Sequence, residues 1–415
     1  MPADDKLTNR HVCADCFGDD PIRRFVRDHV VSGMCDFCGR QSDGLVAAPW
    51  EDVLRFILDG LESCWTTNIY ESVEDPEDEF QHSYDTRQLI ESVSGDGGVP
   101  PIRNESVIEE VLRSTDALTW YNRALTSRDP YGGLVLSWGD FWDRVMRKSR
   151  FFFHVPMRGD DASLEPPEMP TAKILDELGE IVRRGELVRT LSSGTRFFRA
   201  RQHSPDHPVR SAFDLGPPPR KDRKALCANR MSPAGIVMFY GASDQRTALR
   251  EVYDPRRAYD EPELTVGQFV TTTDFGIVDL TNVPPVPSIF DRDRRTLRSG
   301  IMFLHRFVEE VKLRVTKDGT EHLEYVPTQV VTEYFRHVFK AADGSIVRGI
   351  LYPSSIEDGG DCCVLFFEAD QCSDQRGGRF DQRSRWLQLD TDSIEHFSVE
   401  PNFVSSGLKK RPDRS

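Results

Sequence analysis

RFFRAR at 196–201, GIVMFYGA at 235–242, LTVGQFVT at 264–271 and FGIVDLT at 275–281 decide how this chain is read. Each is rich in β-branched and aromatic residues and is set off from the next by turn residues, which predicts strands. In RFFRAR, alternation puts Phe197, Arg199 and Arg201 on one face and Phe198 and Ala200 on the other. Helical spacing interrupts the strands at 246–252, and again where Met302, Phe303, Phe307, Val308 and Val311 recur. TQVVTEYFRHVF (328–339) predicts a third helix, followed by strands RGILY (348–352) and CCVLFFE (362–368). Strands mixed with helices predict an α+β fold from about 190 to 400.

Upstream of these segments the texture is helical. Val53, Leu54, Ile57, Leu58, Leu61 and Trp65 recur at helical spacing, and Val107, Ile108, Val111 and Leu112 restart a helix capped near Asn104 or Ser106. SWGD (137–140) has the spacing of a capping box, with Asp in the last place, and predicts a helix from about Ser137 through Phe141, Trp142, Val145 and Met146. Ile174, Leu175, Leu178, Ile181 and Val182 predict another, stopped by Gly185 as a left-handed cap. Between them, VPMRGDDASLEPPEMP (155–170) reads as a linker.

Cys13, Cys16, Cys35 and Cys38 form C-x2-C-x18-C-x2-C. Two residues between cysteines let one tight turn aim both thiolates at one metal, and two such turns complete a tetrahedron. Four thiolates point to a closed, structural zinc site in a zinc-ribbon-like module, with redox pairs or disulfides as the competing explanations. Nine cysteines, an odd number, favour a reducing compartment. Cys362 and Cys363 open an apolar strand and read as core. A net charge of −15 argues against a general nucleic-acid footprint, since the basic LKKRPDR (408–414) is short and terminal. No secretory signal or membrane-length apolar run is visible, so a cytoplasmic location without membrane association is expected.

The chemistry gathers in the second half. Arg199 and Arg230 offer guanidinium forks suited to phosphate oxygens, and Arg230 stands in a loop before a strand, a common ligand-binding position. Tyr240 adds an aromatic ring with a polar tip, Glu251 a carboxylate late in a helix, and Ser354 a hydroxyl in a turn. Singly, each has an ordinary structural explanation. Together they suit an anionic, sugar-containing ligand, whose cationic transition state a carboxylate can stabilise.

In order and spelling, FFRAR, RMSPAG, FYGA, TALREV and YPSS resemble the RES family, named for its Arg, Glu and Ser. The resemblance covers roughly 195–400, and YVPTQVVTEYF (325–335) looks like the longer branch of that family. It implies a fold related to ADP-ribosyltransferases and cleavage of NAD at the nicotinamide–ribose bond, with transfer of ADP-ribose to phosphate or water. By motif position it implies Glu251, Arg199 and Ser354 as catalytic residues and Arg230, Tyr240 and Arg199 as substrate-binding ones. NAD would be a substrate, since neither a Rossmann nor a Walker A glycine pattern occurs. Some members carry a tyrosine after the first arginine; here Ala200 stands there.

The first half resembles the HEPN-like region of some RES proteins. Many HEPN domains are ribonucleases with Arg-x4-6-His, and Arg147 and His154 have that spacing, so a ribonuclease competes with NAD cleavage, as does a non-enzymatic adaptor. The expected organisation is a zinc module at 10–45, a helical HEPN-like region at 46–155, a linker at 156–170, a RES domain with a leading helix at 171–403, and a flexible tail at 404–415. Because unchecked NAD consumption would poison its host, an antitoxin-like or regulatory protein partner is also expected.

Overall fold

A computed structural model describes residues 10–67, 83–93, 99–115, 118–122, 132–151, 171–220, 228–312, 321–375, 386–399 and 409–410. The chain forms two compact units, Met1–Val135 with Pro284–Met302 and Leu136–Val283 with Phe303–Ser415.

In the first unit, β1 (His11–Cys13) pairs antiparallel with β2 (Ala47–Pro49). Helix α1 (Asp20–Asp28) is opened by Asp19, whose carboxylate accepts from the Ile22 amide. Helix α2 (Trp50–Glu62) buries Val53, Ile57 and Leu61, as the spacing predicts. β3 (Trp65–Thr66), β4 (Ser83–Tyr84) and β5 (Trp120–Asn122) make a small sheet with β5 in the middle. Between them lie α3 (Thr86–Ser92) and α4 (Glu105–Ser114), the latter capped by Asn104. Ile289 and Phe290, far along the sequence, complete this core. Gly60 is needed there: a Cβ at that position would lie 2.3 Å from the Phe290 ring. The excursion is further tied by Ser288, which donates to Asp19 at 2.7 Å, and by Arg295, which pairs with Asp59 at 3.0 Å.

Helix α5 (Gly132–Asp143), along which the chain passes from the first unit to the second, begins ahead of the expected Ser137 and runs into a π turn at Arg144–Lys148. The capping signal is overridden because Leu134, Trp138, Phe141 and Val145, all buried, form one continuous helical stripe. Helix α6 (Thr171–Arg184) also departs from expectation at its end. The left-handed residue is Glu186, with φ 56°, rather than Gly185. Bonds from the Leu187 amide to the Val182 carbonyl and from the Glu186 amide to the Arg183 carbonyl close a Schellman turn one residue later.

The main sheet comprises β6 (Val188–Leu191), β7 (Arg196–His203), β8 (Phe239–Ala242), β9 (Glu263–Thr271), β10 (Phe275–Asp279), β11 (Val347–Pro353), β12 (Asp361–Leu365), β13 (Cys372–Asp374), β14 (Leu387–Ser398) and β15 (Lys409–Lys410). Their order is β13-β14-β9-β7-β8-β12-β11-β10-β6, with β15 on β14. Two pairs, β10–β11 and β13–β14, are parallel and the others antiparallel, so the sheet is mixed. The unit also holds α7 (Ala212–Leu215), α8 (Gln245–Val252), α10 (Glu321–Glu324) and α11 (Val326–His337), while α9 (Arg298–Lys312) carries the chain back into it. GIVMFYGA is a strand only from Phe239, and Tyr240 lies inside it. The residues before it are taken up by a turn in which the Ile236 amide bonds the Pro233 carbonyl and Gly235 has φ 87°.

β7 pairs with β9 along its whole length but faces β8 only at Phe198 and Ala242. One side of the sheet packs Phe197, Phe239, Phe269, Cys363 and Leu365 together. The other packs Ala200, Ala242, Leu264 and Val266 against Ala248 and Leu249 of α8. Where β7 and β8 part, a cavity opens. Among the described residues, no helix is long and apolar enough to cross a membrane.

Candidate active site

Arg199 spans the parting of the two strands. Its Nη1 donates to the Tyr240 carbonyl at 2.6 Å and its Nε to the Leu215 carbonyl at 2.6 Å, while its guanidinium carbon lies 5.1 Å from the Phe239 ring centroid. A guanidinium has five N–H donors; these two bonds fix its plane, and among the described residues the other donors have no carboxylate partner. Burial, with Arg201 nearby, pulls Arg199 down to about 10, so it remains a cation at neutral pH. Arg230 sits on the turn Asn229–Ser232. Among the described residues neither Arg199 nor Arg230 forms an ion pair with a carboxylate.

Glu251 lies in the last turn of α8, a helix started by Asp244, whose carboxylate accepts from the Thr247 amide at 2.9 Å. Ala248 and Leu249 bury the inner face and leave Glu251 exposed to the cavity. Ser354 donates to Glu251 Oε1 at 2.6 Å, and its own oxygen accepts the Ile356 and Glu357 amides at 3.0 Å each. One hydroxyl hydrogen and two lone pairs are thereby used up. Cys362 Sγ lies 3.5 Å from the same carboxylate oxygen. Burial and the Glu251 charge raise this thiol, which keeps it a donor. Oε2 has no hydrogen-bond partner among the described residues.

The loop bearing Ser354 is anchored to α8 by Glu357, which pairs with Arg246 at 3.1 Å and with Arg250. Gly360 allows this approach, because a Cβ there would lie 2.3 Å from Thr247 Oγ1. Opposite, the Tyr240 hydroxyl donates to Ser232 Oγ at 2.8 Å; burial holds that phenol well above its usual value, so it stays neutral.

The cavity has a volume of about 530 Å³ and is lined by Arg199, Arg230, Tyr240 and Glu251 together. That volume lies within the range of small-molecule sites. Ser354 is 7 % exposed and acts from behind Glu251, while its neighbour Ser355 reaches the wall. Ala200 also lines the cavity, as do Tyr253, Tyr325 and Tyr352, so aromatic rings come from elsewhere although position 200 has none. Sequence reading missed Tyr352 and took Cys362 for core alone. The two face each other across β11 and β12, and Cys362 also faces Ala242 of β8. Strand parity separates Cys362 from Cys363, but only the long-range register shows which face meets α8.

The four N-terminal cysteines place their sulfurs within 4.8 Å of one another. Cys13–Cys16, Cys13–Cys38 and Cys16–Cys35 are 3.9, 3.5 and 3.8 Å apart. Four sulfurs at about 2.3 Å from a tetrahedral ion would stand about 3.8 Å apart, so the cluster has the dimensions of a metal site. Cys13 precedes and Cys16 ends a single 3-10 turn, Ala14–Cys16, and both are buried; Cys35 is buried, and Cys38 is exposed. The Cys16 side chain accepts from Asn104 Nδ2 at 3.6 Å, a bond to the sulfur of the kind that orients metal ligands. Arg147 pairs with Asp143 at 3.2 Å on the protein surface, and His154 lies outside the described residues.

An α/β domain with a mixed sheet, an arginine-lined cavity and a hydrogen-bonded carboxylate at its edge defines the class. The RES domain family model matches residues 196–388, and the model for HEPN/RES N-terminal domain 1 matches residues 28–158. Together these span more than half of the chain, which therefore belongs to the RES-domain family with a HEPN-like N-terminal region. No curated protein and no solved structure matched.

Proposed function

We propose that the RES domain consumes NAD by breaking its nicotinamide–ribose bond and passing ADP-ribose to inorganic phosphate or water. The supporting observation is a single cavity in which Arg199 and Arg230, without carboxylate partners among the described residues, stand with a Glu251 held by Ser354. Nicotinamide leaves with the bonding electron pair as a neutral molecule, so the departure needs no general acid. Glu251 Oε2 hydrogen-bonds a ribose hydroxyl and supplies negative charge beside the oxocarbenium ion. Arg199 and Arg230 hold the pyrophosphate, fixing the sugar against the carboxylate. Ser354 orients Glu251, and Tyr240 packs against the ligand with its hydroxyl anchored on Ser232.

The kinship to the ADP-ribosyltransferase fold and a role as a toxin or defence effector, restrained by a protein partner, belong to the same reading. So does zinc as the ion of the cysteine site, where four thiolates would hold it in a closed, structural role. The test is incubation of the purified full chain with NAD, with and without phosphate. Release of nicotinamide is expected, together with a product mass of ADP-ribose in water and of its phosphorylated form in phosphate. Intact NAD after prolonged incubation under both conditions would reject the reading.

A further inference from the structure

Helix α11 buries three polar side chains, Thr328, Gln329 and Thr332. Buried polar groups are costly unless hydrogen-bonded, so their partners carry information. Gln329 Nε2 donates to the Asn229 carbonyl at 2.8 Å and to the Ser232 carbonyl at 3.2 Å. Both partners are acceptors, which fixes the orientation of the amide. Thr328 Oγ1 has two carbonyls in reach, and the nearer is that of Arg230, at 2.5 Å against 2.9 Å for Tyr325. Thr332 Oγ1 lies 3.2 Å from Met231 Sδ.

Asn229, Arg230 and Ser232 are thus hydrogen-bonded to this helix, while Met231 lies against Thr332, whose hydroxyl has its nearer acceptor in the Thr328 carbonyl at 2.8 Å. The turn they form closes through the Asn229 amide to the Ser232 carbonyl at 2.8 Å and the reverse bond at 3.2 Å, and belongs to none of the named strands. It carries Arg230 and, through Ser232 Oγ, receives the Tyr240 hydroxyl.

We infer that Thr328 and Gln329 are positioning residues that set Arg230, and through Ser232 also Tyr240, at the cavity wall. The inference rests on the NAD reading for its functional consequence, and on α11 alone for its structural one. Gln329→Leu removes both donors at similar volume, Thr328→Val removes the hydroxyl, and Thr328→Ser restores it.

In the full chain, Gln329→Leu is expected to weaken ADP-ribose binding about 5–20-fold and to raise KM for NAD similarly, with kcat changed less than about threefold. Added to Arg230→Ala, it is expected to cost less than about a further twofold, because it acts through that arginine. Fully additive losses, or a loss in kcat alone, would overturn the inference. Hydrogen exchange gives a second readout that needs no ligand. Exchange at the Ser232 amide should quicken at least about tenfold in Gln329→Leu while α8 stays unchanged, and Thr328→Ser should exchange like the parent. A wild type that neither binds ADP-ribose nor cleaves NAD would defeat the functional reading, whereas unchanged exchange at the turn would defeat this one.

Discussion

Replacing Ser354 with alanine separates two jobs that one hydroxyl performs. The O–H to Glu251 Oε1, 2.6 Å long, is a hydrogen bond to a charged acceptor. Bonds of that kind contribute about 1.5–3 kcal/mol. If the bond serves to hold the carboxylate in its reactive pose, its loss should lower kcat about 10–150-fold, at about 1.4 kcal/mol per decade. KM should change little, because Ser354 is 7 % exposed and stands behind Glu251. The Ile356 and Glu357 amides lose their acceptor in the same step. Leaving them unsatisfied should cost about 1–3 kcal/mol. For a folded unit of about 150–250 residues that is a fall in Tm of roughly 2–12 °C. Nicotinamide release at saturating NAD gives kcat, and a thermal melt gives the second quantity. A kcat within about twofold of the parent would refute the positioning role. A rise in KM at constant kcat would instead make Ser354 a ligand contact.

Gly360→Ala pushes a methyl group against Thr247 and should cost about 1–3 kcal/mol, with a loss of kcat in parallel as the Ser354 loop moves; a melt and a rate on the same sample check it. Cys16→Ser should drop metal content, measured by elemental analysis, from about one ion per chain to near none, and should destabilise the first unit; undiminished metal would remove the cysteine site. Burial pulls the Arg199 guanidinium down to about 10, below its unfolded value, so keeping it there as a cation costs stability below pH 10. That cost is relieved as pH climbs above about 10 towards the unfolded value. Activity should move the opposite way, with kcat/KM for NAD falling as pH rises through about 10; a flat profile past that point would show that Arg199 keeps its proton there.

Much of both units was legible because strands and amphipathic helices write their periodicity into the chain. The burial of Val53, Ile57 and Leu61 followed from spacing alone, as did the alternation that puts Phe197 on one side of the sheet and Phe198 and Ala200 on the other. What was not legible depended on partners distant in sequence. Leu387–Ser398 gave no clear signal, although it pairs with β9 beside β7. Ile289 and Phe290 look like loop residues until Gly60 and the first unit's core are in place. The end of α6 was set by a Schellman turn at Glu186, which propensity alone would assign to the neighbouring glycine. At the site, the residue types could be read, but their division of labour could not. That Ser354 is spent on Glu251, and that Gln329 holds the turn under Arg230, are consequences of register and burial.

The most direct measurement is the rate of nicotinamide release from NAD by Glu251→Gln, run beside the parent and a thermal melt of both. The side chain keeps its size and loses its charge, so a near-parental Tm with release reduced by at least about three orders of magnitude is expected for a charge beside the oxocarbenium ion. Release within tenfold of the parent from an equally stable variant would contradict it.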